Sequence, residues 1–306
     1  MVRSLWSAAT GMNAQQMNVD TIANNLANVN TVGYKSQVAQ FKSLLYQTLQ
    51  TATTTANGDP KPTSSQVGLG VRASSINNIF SQGAMLSSQS PSSMAIQGAG
   101  FFAVQAPNNE INYTRNGDFV WAIMGDGLML TTSDGSAVLN SAGQPITVDA
   151  ADIRREYVRA YNEFIAMLRA NDPNAAIPDM ADLNSVVLIS SNINIDARGN
   201  FLYNFGGLDF DLGHQVGLFQ FANVGGLERM GNSLYRPTVA SGQAQNEATA
   251  IGLRPSSVAQ NYLEGSNVYV ADEMVNLIVA QRAYEMNSKA ITTTDEMLQT
   301  ANNLKR

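Results

Sequence analysis

Two series of residues spaced by seven positions run through the last stretch of the chain, Asn267 to Leu304. The apolar series consists of Leu277, Tyr284, Ile291 and Leu298. The second series, three positions further on, consists of Ala280, Asn287, Thr294 and Ala301. On an α-helix both series fall on one stripe, where the small members let another backbone approach. With Gly265 before it and Ser266 or Asn267 as the expected N-cap, this stretch predicts a long helix packed against other helices.

The start of the chain carries the same pattern. One series consists of Leu5, Met12, Val19 and Leu26, and the other consists of Ala8, Gln15, Ile22 and Val29. Asn30 and Gly33 are poor helix formers, so we expect this helix to end near Thr31. After Gly33, the spacing of Phe41, Leu44, Leu45 and Leu49 predicts a resumed helix up to Gln50. Residues 1–50 and 262–306 thus predict one coiled-coil-like helical module, closed by the return of the chain to its start.

Two polar segments flank the middle of the chain. Residues 51–70 are rich in Thr and Ser and include Thr51, Pro60, Pro62 and Leu69, which predicts an extended connector. A free linker and an extended brace held against neighbouring molecules are both compatible with this composition. Residues 236–261 are irregular and polar, and we expect them to form the return connector.

Between the connectors, residues 71–235 show short apolar runs separated by closely spaced turn signals. The predicted strands are Val71–Phe80, Met94–Gln105, Ile111–Trp121, Leu128–Thr132, Val186–Ile195, Phe201–Phe205 and Gln215–Phe221. Asn116-Gly117 is a hairpin-type signal inside the third run. Such a pattern is typical of a β-rich sandwich or distorted barrel.

One segment departs from this β pattern. Ile153, Tyr157, Tyr161, Phe164, Ile165 and Leu168 share one helical face. We therefore expect a helical insertion at about residues 152–183 and, for the whole chain, an α+β fold class.

Composition narrows the possible partners. The net charge of −6 argues against nucleic acid, and the absence of cysteine removes disulfides and thiolate chemistry. Charged residues make up only 14% of the chain, against roughly 25% in typical proteins. The first fifty residues contain only Arg3, Asp20, Lys35 and Lys42 as charges. Neutral polar side chains suit helices surrounded by protein, although a solvent-exposed polar helix is the alternative.

No apolar run approaches the roughly 20 residues that span a bilayer. The N-terminus is amphipathic and lacks the apolar core of a cleavable signal peptide. We therefore expect no membrane insertion and, if the protein is exported, a route that leaves this end uncut.

The sequence assigns no catalytic, cofactor-binding or metal-binding residues. His214 lies close to Asp209 and Asp211, and a metal site there is conceivable, but exposed carboxylates beside a lone histidine are more typical of a turn. Nucleophile-elbow, phosphate-loop and zinc-protease motifs are missing from the sequence. A pair of carboxylates for glycan hydrolysis stays open as the enzymatic alternative.

Several motifs resemble the rod and hook proteins of the bacterial flagellum. At the ends these are SLWSAATGMNAQQMNVDTIANNLANVNTVGYK (Ser4 to Lys35) and LEGSNVYVADEMVNLIVAQRAYEMNSKAITTTDEML (Leu263 to Leu298). Between them lie FKSLLYQTLQ, VGLGVR, GAGFFAVQ, YTRNGDF and QVGLFQF followed by GLERMGNSLYRPTVASGQA. The motif LLYQ near position 45 and the connector after it resemble the distal rod more than the proximal rod or the hook.

The resemblance implies a structural subunit of the distal rod that polymerises with itself into a rigid hollow shaft. It implies that the terminal helices form an inner tube, stabilised only on assembly, while the β-rich domain forms the outer layer. Implied partners are proximal rod proteins, the hook protein, surrounding ring proteins and the flagellar export apparatus. The implied site is the basal-body rod, which crosses the periplasm. A hook or proximal-rod protein and, remotely, a peptidoglycan hydrolase on a rod-like scaffold are the alternatives.

Overall fold

The computed structural model describes residues 2–50, 65–125, 127–171, 189–205, 208–250 and 252–304. Its helices are α1 (Val2–Ala27), α2 (Ala150–Asn171) and α3 (Val270–Asn303). Its strands are β1 (Gln37–Ser43), β2 (Tyr46–Gln50), β3 (Ser65–Gly68), β4 (Val71–Asn78), β5 (Met85–Ser87), β6 (Met94–Gln97), β7 (Phe101–Gln105), β8 (Ile111–Thr114), β9 (Phe119–Met124), β10 (Gly127–Thr132), β11 (Ala137–Val138), β12 (Thr147–Asp149), β13 (Ile193–Ile195), β14 (Asn200–Phe205), β15 (Leu208–Gln215), β16 (Leu218–Gln220), β17 (Glu228–Gly231), β18 (Leu234–Arg236), β19 (Gln245–Asn246), β20 (Ser257–Gln260) and β21 (Tyr262–Glu264). Long terminal helices with a strand-rich middle confirm the predicted α+β class.

The contacts of the chain divide it into two compact units. The helical unit consists of Met1–Val29, Lys35–Ile79 and Val268–Arg306. The β unit consists of Asn30–Tyr34 and Phe80–Asn267. The chain therefore passes between the units four times: after α1, between Tyr34 and Lys35, between Ile79 and Phe80, and before α3.

In the helical unit, α1 and α3 pack against each other, and α1 also contacts β1 and β4. Strand β1 pairs with β4, and β2 pairs with β3, both antiparallel. The backbone N–H of Leu44 donates to the carbonyl of Gly70 at 2.9 Å, so the pairing continues between these strand pairs. Together β1 to β4 form a long two-stranded ribbon. The predicted helix over residues 34–50 is therefore wrong, because residues 65–78 supply a backbone partner that a local pattern does not reveal.

The ends of the long helices also differ from prediction. Helix α1 ends at Ala27, four residues before Thr31. The N-cap of α3 is Tyr269, whose side chain makes no capping hydrogen bond, so the predicted caps Ser266 and Asn267 are wrong. The Asn267 amide donates instead to the hydroxyl oxygen of Ser81 at 2.9 Å, within the β unit. This tertiary hydrogen bond removes the side chain from a capping role.

The β unit is built on a branched sheet of ten strands. The main path runs β12-β10-β11-β7-β8-β18-β17, with β9 beside β10, and with β16 linking β7 to β19. A smaller sheet has the order β13-β14-β15. The largest apolar core cluster draws on both sheets and includes Phe102, Leu130, Phe201 and Tyr203, none of which is exposed to solvent.

The structure corrects three expectations for this unit. Asn116-Gly117 is not a hairpin turn, because β8 pairs with β7 and β18 while β9 pairs with β10. Residues 208–215 form a strand that the sequence did not indicate. The expected return connector over 236–261 contains β19 and β20, and β20 pairs with β6 over four residues. Short polar strands escape a search for apolar alternation because their partner strands supply most of their stabilisation.

Helix α2 confirms the helical part of the predicted insertion. Ile153, Tyr157 and Tyr161 are buried, and α2 contacts β12 and β15. The ring of Tyr157 meets that of Phe205 edge-on at 5.1 Å. Residues 172–183 of the expected insertion lie outside the described residues, as do residues 186–188. Residues 189–195, expected as strand, form a short 3-10 helix at Ser190–Asn192 before β13.

Candidate assembly interface

Helices α1 and α3, which carry most of the predicted heptad residues, pack against each other. Ile22, Ala280 and Thr294 are buried. The half-buried members are Leu5, Met12, Val19, Leu26, Val29, Leu277, Ile291 and Leu298. Tyr284 is 42% exposed and, with Gln16 and Val19, lines an open groove of about 400 Å³. Most of the heptad residues are therefore buried or half-buried, while the groove at Tyr284 stays open to solvent.

A small residue allows the close approach of the two helices. A methyl group added to Gly11 of α1 would lie 2.9 Å from the side-chain amide nitrogen of Asn287 on α3. Asn287 belongs to the second heptad series of α3. Contacts this close need small or adaptable residues, as the sequence indicated.

Asn25 joins three elements of the helical unit through its amide group. Its Nδ2 donates to Glu273 Oε1 on α3 at 2.9 Å and to the carbonyl of Gln37 on β1 at 2.8 Å. Its Oδ1 accepts the backbone N–H of Gln37 at 2.9 Å. Such a buried amide favours one alignment of the packed elements, because a shift along the helix would leave these groups unpaired. The heptad pattern did not identify Asn25, which lies between the apolar positions.

The outer surface of α3 also carries exposed apolar side chains. The exposed large side chains on this helix are Val270, Met274, Val275, Ile278, Val279, Tyr284, Met286, Met297 and, at its C-cap, Leu304. Val275 and Val279 lie one turn apart and are 60% and 62% exposed. Large apolar side chains that share an exposed surface are typical of sites that bind other proteins. The α3 surface is therefore suited to contact with other helices.

The half of the ribbon that begins at Leu45 and Leu69 and contains β2 and β3, which we call the ribbon tip, carries a second apolar surface. Leu45 is 84% exposed, and Tyr46, Leu49 and Leu69 are exposed with it. An isolated two-stranded ribbon is only marginally stable in water. Leu69 is the one predicted brace residue in the described part of the chain, since Thr51, Pro60 and Pro62 lie outside it. These exposed side chains make the ribbon tip a second candidate contact surface.

The β unit contains a buried ion pair close to the residues that lead into α3. Arg115 Nη1 lies 3.4 Å from Glu264 Oε2, and both side chains are almost fully excluded from solvent. Arg115 Nη2 donates to the carbonyl of Gly98 at 2.8 Å, and the guanidinium lies over the ring of Phe101. Burial lowers the pKa of Arg115, while the Glu264 carboxylate opposes that shift. The two Nη atoms of Arg115 therefore have specific partners, whereas its buried Nε has no hydrogen-bond partner among the described residues. Heptad and turn patterns gave no sign of this pair.

Burial raises the pKa of the nearby Tyr235 to about 12, against 10.0 for an ordinary tyrosine. Between these pH values the unfolded chain binds fewer protons than the folded one, so the free energy of unfolding falls as pH rises. The full loss is roughly 3 kcal/mol. We expect Tyr235→Phe to remove this loss, as measured by urea unfolding at a series of pH values.

A second tyrosine contributes to the same alkaline decline in stability, because burial also raises the pKa of Tyr113. The Tyr235→Phe variant should therefore keep a smaller alkaline decline. At neutral pH it should unfold like the native protein, since the Tyr235 hydroxyl has no hydrogen-bond partner among the described protein atoms. An unchanged alkaline decline would contradict the assignment.

His214 and the carboxylates near it do not form a metal centre in the structure. Asp209 and Asp211 lie on β15 and are exposed, and the Asp211 carboxylate accepts the N–H of Gly213 at 2.8 Å. Asp209 accepts a hydrogen bond from the amide of Asn204 at 2.7 Å. Within the described ranges, no three His, Cys, Asp or Glu residues are arranged to hold a metal ion.

Exposed apolar surfaces such as those on α3 and the ribbon tip are typical of the class of proteins that bind other proteins. Comparison with known proteins specifies the class further. Residues 5–35 match "Flagella basal body rod protein", residues 95–202 match "Flagellar hook protein FlgE/F/G D1 domain", and residues 259–304 match "Flagellar basal body rod FlgEFG protein C-terminal".

Full-length relatives agree with these matches. The chain is 38% identical to the flagellar basal-body rod protein FlgG of Borreliella burgdorferi, with 100% of both chains covered. It is 36% identical to FlgG of Caulobacter vibrioides, with 99% of this chain and 100% of the relative covered. Identity to the flagellar hook protein FlgE of Borreliella burgdorferi is 25%, with 98% of both chains covered.

The chain therefore belongs to the FlgEFG family of flagellar basal-body rod and hook proteins. The prediction of a structural rod protein is confirmed, and its relatives are structural proteins. Among the described residues, no helix is long and apolar enough to cross a membrane.

Proposed function

We propose that this chain is a self-assembling subunit of the distal rod. In this proposal many copies polymerise into a rigid hollow shaft that transmits torque from the motor to the hook and lets exported proteins pass through its channel. The helical unit forms the inner, coiled-coil-like layer, and the β unit forms the outer layer as a sandwich or barrel-like shell. The shaft crosses the periplasm and contacts proximal rod, hook and ring proteins.

The apolar outer surface of α3 supports this proposal most directly. One side of α3 already packs on α1, yet Val275, Ile278, Val279 and Met286 remain exposed on the rest of the helix. Burial of a large aliphatic side chain contributes about 1.5–3 kcal/mol. A second copy of the chain is the partner that every subunit of a homopolymer meets. Because the helices gain so much from neighbours, we propose that they become fully ordered only on assembly, after export without a cleaved signal.

Replacement of Val275 and Val279 by glutamine tests the α3 contact. We expect the concentration needed for polymerisation to rise at least about tenfold, since the two valines lose part of their burial in the polymer. The unfolding midpoint of the isolated chain should stay near the native value, because both side chains are exposed there. Sedimentation of the polymer at a series of protein concentrations measures the effect.

A matched control changes the same helix without removing apolar surface. Thr292 and Glu296 are also exposed and one turn apart, so Thr292→Gln with Glu296→Gln should polymerise almost like the native chain. Equal polymerisation of the valine and control variants would count against α3 as the contact surface.

Electron microscopy separates this proposal from its rivals. A straight, stiff tube is expected for a distal rod protein, whereas a curved and compliant tube would indicate a hook protein. The similarity to FlgG over the whole chain favours the rod. A peptidoglycan hydrolase has no positive support here, and a zymogram with purified protein would detect it.

A further inference from the structure

Two segments of the β unit, the one that follows α1 (residues 30–34) and the one that leads to α3 (residues 264–267), are hydrogen-bonded to each other. The backbone N–H of Gly33, six residues after α1, donates to the carbonyl of Glu264 at 2.7 Å. The N–H of Asn267 donates to the carbonyl of Tyr34 at 3.4 Å. The outgoing crossing (residues 30–34) and the incoming crossing (residues 264–267) therefore run side by side.

Glu264 connects this pair of crossings to the rest of the β unit through its side chain. One carboxylate oxygen, Oε1, accepts the N–H of Gly83 at 3.0 Å. The other, Oε2, faces Arg115 Nη1 at 3.4 Å. Arg115 in turn reaches the carbonyl of Gly98. One buried residue thus contacts the outgoing crossing, the segment before β5 and the end of β8.

The backbone is packed too closely here for a simple adjustment. A methyl group on Gly83 would lie 2.0 Å from the carbonyl oxygen of Gly265, and one on Gly33 would lie 2.6 Å from the backbone nitrogen of Asn116. The guanidinium of Arg229 lies over the ring of Tyr34 at 4.7 Å and holds the outgoing crossing from another direction. A buried pair set among close backbone contacts has little freedom to rearrange.

We propose that Arg115 and Glu264 are positioning residues that hold the two crossings at a fixed separation within the β unit. We call Gly33, Gly83, Arg115 and Glu264 the crossing joint. Its mechanical role rests on the proposed function, since a stiff shaft needs subunits with little internal freedom. The local effect on the crossings is a property of the isolated chain and does not depend on polymerisation.

Hydrogen exchange of the full-length isolated chain tests the joint. The Glu264→Gln variant keeps the size of the side chain but removes its charge. We expect exchange of residues 30–34 and 264–267 to accelerate about 100-fold, the factor that corresponds to the loss of one partner of a buried pair. Exchange in β10 and β7 should accelerate only as far as global stability falls.

A matched control separates the joint from general destabilisation. Leu130→Ala removes a fully buried side chain from the largest apolar core cluster of the β unit. Its loss of stability should be similar, but the two crossings should exchange no faster than the rest of the unit. If Glu264→Gln and Leu130→Ala gave the same exchange pattern, the proposal would be wrong.

The variant Arg115→Lys provides a second arm should Glu264→Gln fail to fold. Lysine keeps the charge but cannot contact Glu264 and Gly98 through separate nitrogens of a planar group. We expect a milder acceleration in the same two segments, and native exchange there would overturn the proposal.

The double variant Arg115→Met with Glu264→Leu separates a positioning role from a purely stabilising one. If the pair only stabilised the fold, global stability and exchange of the crossings would recover together. It should recover much of the global stability, because an apolar replacement removes both buried charges together. Exchange of the crossings should remain fast, since Gly83 still lacks its acceptor. Recovery of native exchange in the crossings would contradict the positioning role.

The polymer provides the mechanical test. Arg115→Lys polymers should bend more than native polymers in electron micrographs, and unchanged stiffness would contradict the mechanical part of the proposal. Failure of the native chain to polymerise would contradict the proposed function instead, while the exchange experiment still decides the joint.

Discussion

Gly33→Ala should be among the most damaging single substitutions in the chain. Gly33 has a φ of +67°, in the left-handed region, where an alanine costs about 1–2 kcal/mol. Its new methyl group would also lie 2.6 Å from the nitrogen and 2.8 Å from the Cα of Asn116. Because those atoms are backbone, the crossing must move, and the hydrogen bond from Gly33 to Glu264 is lost. We expect a total destabilisation of about 4 kcal/mol, measured by denaturant unfolding.

Gly135→Ala is the matched control for this substitution. Gly135 has a similar φ of +82°, but nothing lies within 4 Å of its added methyl group. It should therefore show only the backbone cost of about 1–2 kcal/mol. The difference between the two variants isolates the close contact at the crossing. Equal destabilisation would show that Gly33 is needed only for its backbone conformation.

Removal of the apolar side chains of the ribbon tip should weaken the polymer strongly without affecting the isolated chain. Leu45 and Leu49 lie four residues apart at the ribbon tip and are both exposed. If this surface packs on a neighbouring subunit, Leu45→Ser with Leu49→Ser removes roughly 3 kcal/mol from each contact, about a 100-fold change in its equilibrium. The polymers that still form should bend more, as measured by persistence length in electron micrographs.

The control for the ribbon tip is Gln47→Ser with Thr48→Ser. These residues are exposed on the same strand but polar, so the polymer should keep its stiffness. Deletion of residues 51–69 is the stronger version and should reproduce the bending of the leucine variant. A deletion polymer as straight and stiff as the native one would remove the brace from the proposed function.

The long helices could be predicted because their signal is local. Leu277, Ile291 and Leu298 repeat at an interval that only a helix brings to one side, and α3 follows that prediction over most of its length. The same argument found α2 from Ile153, Tyr157 and Tyr161. The ribbon was missed because Phe41 and Leu45 are spaced like helical residues, while their strand partners lie 65–78 along the chain.

The residues of the candidate sites also fall into a group that the sequence could predict and a group that it could not. The heptad residues could be chosen from the sequence, and most of them are buried or half-buried on α1 and α3, while their role in assembly stays a prediction. Asn25 and the Arg115–Glu264 pair were not predicted, since their partners are distant in sequence, 248 and 149 residues away. A lone polar residue in a sequence does not show whether water or a distant side chain satisfies it.

By itself, the sequence determined the two terminal helices, the strand-rich middle with its helical insertion, and the family resemblance, because these depend on residue spacing and on local motifs. Only the tertiary structure decided the ribbon, the pairing order of the strands, the true cap of α3 and the buried joint at the crossings. Each of these depends on hydrogen bonds between segments far apart in the chain. Those segments come together only when the whole chain folds, so a local sequence pattern does not show which of them will pair.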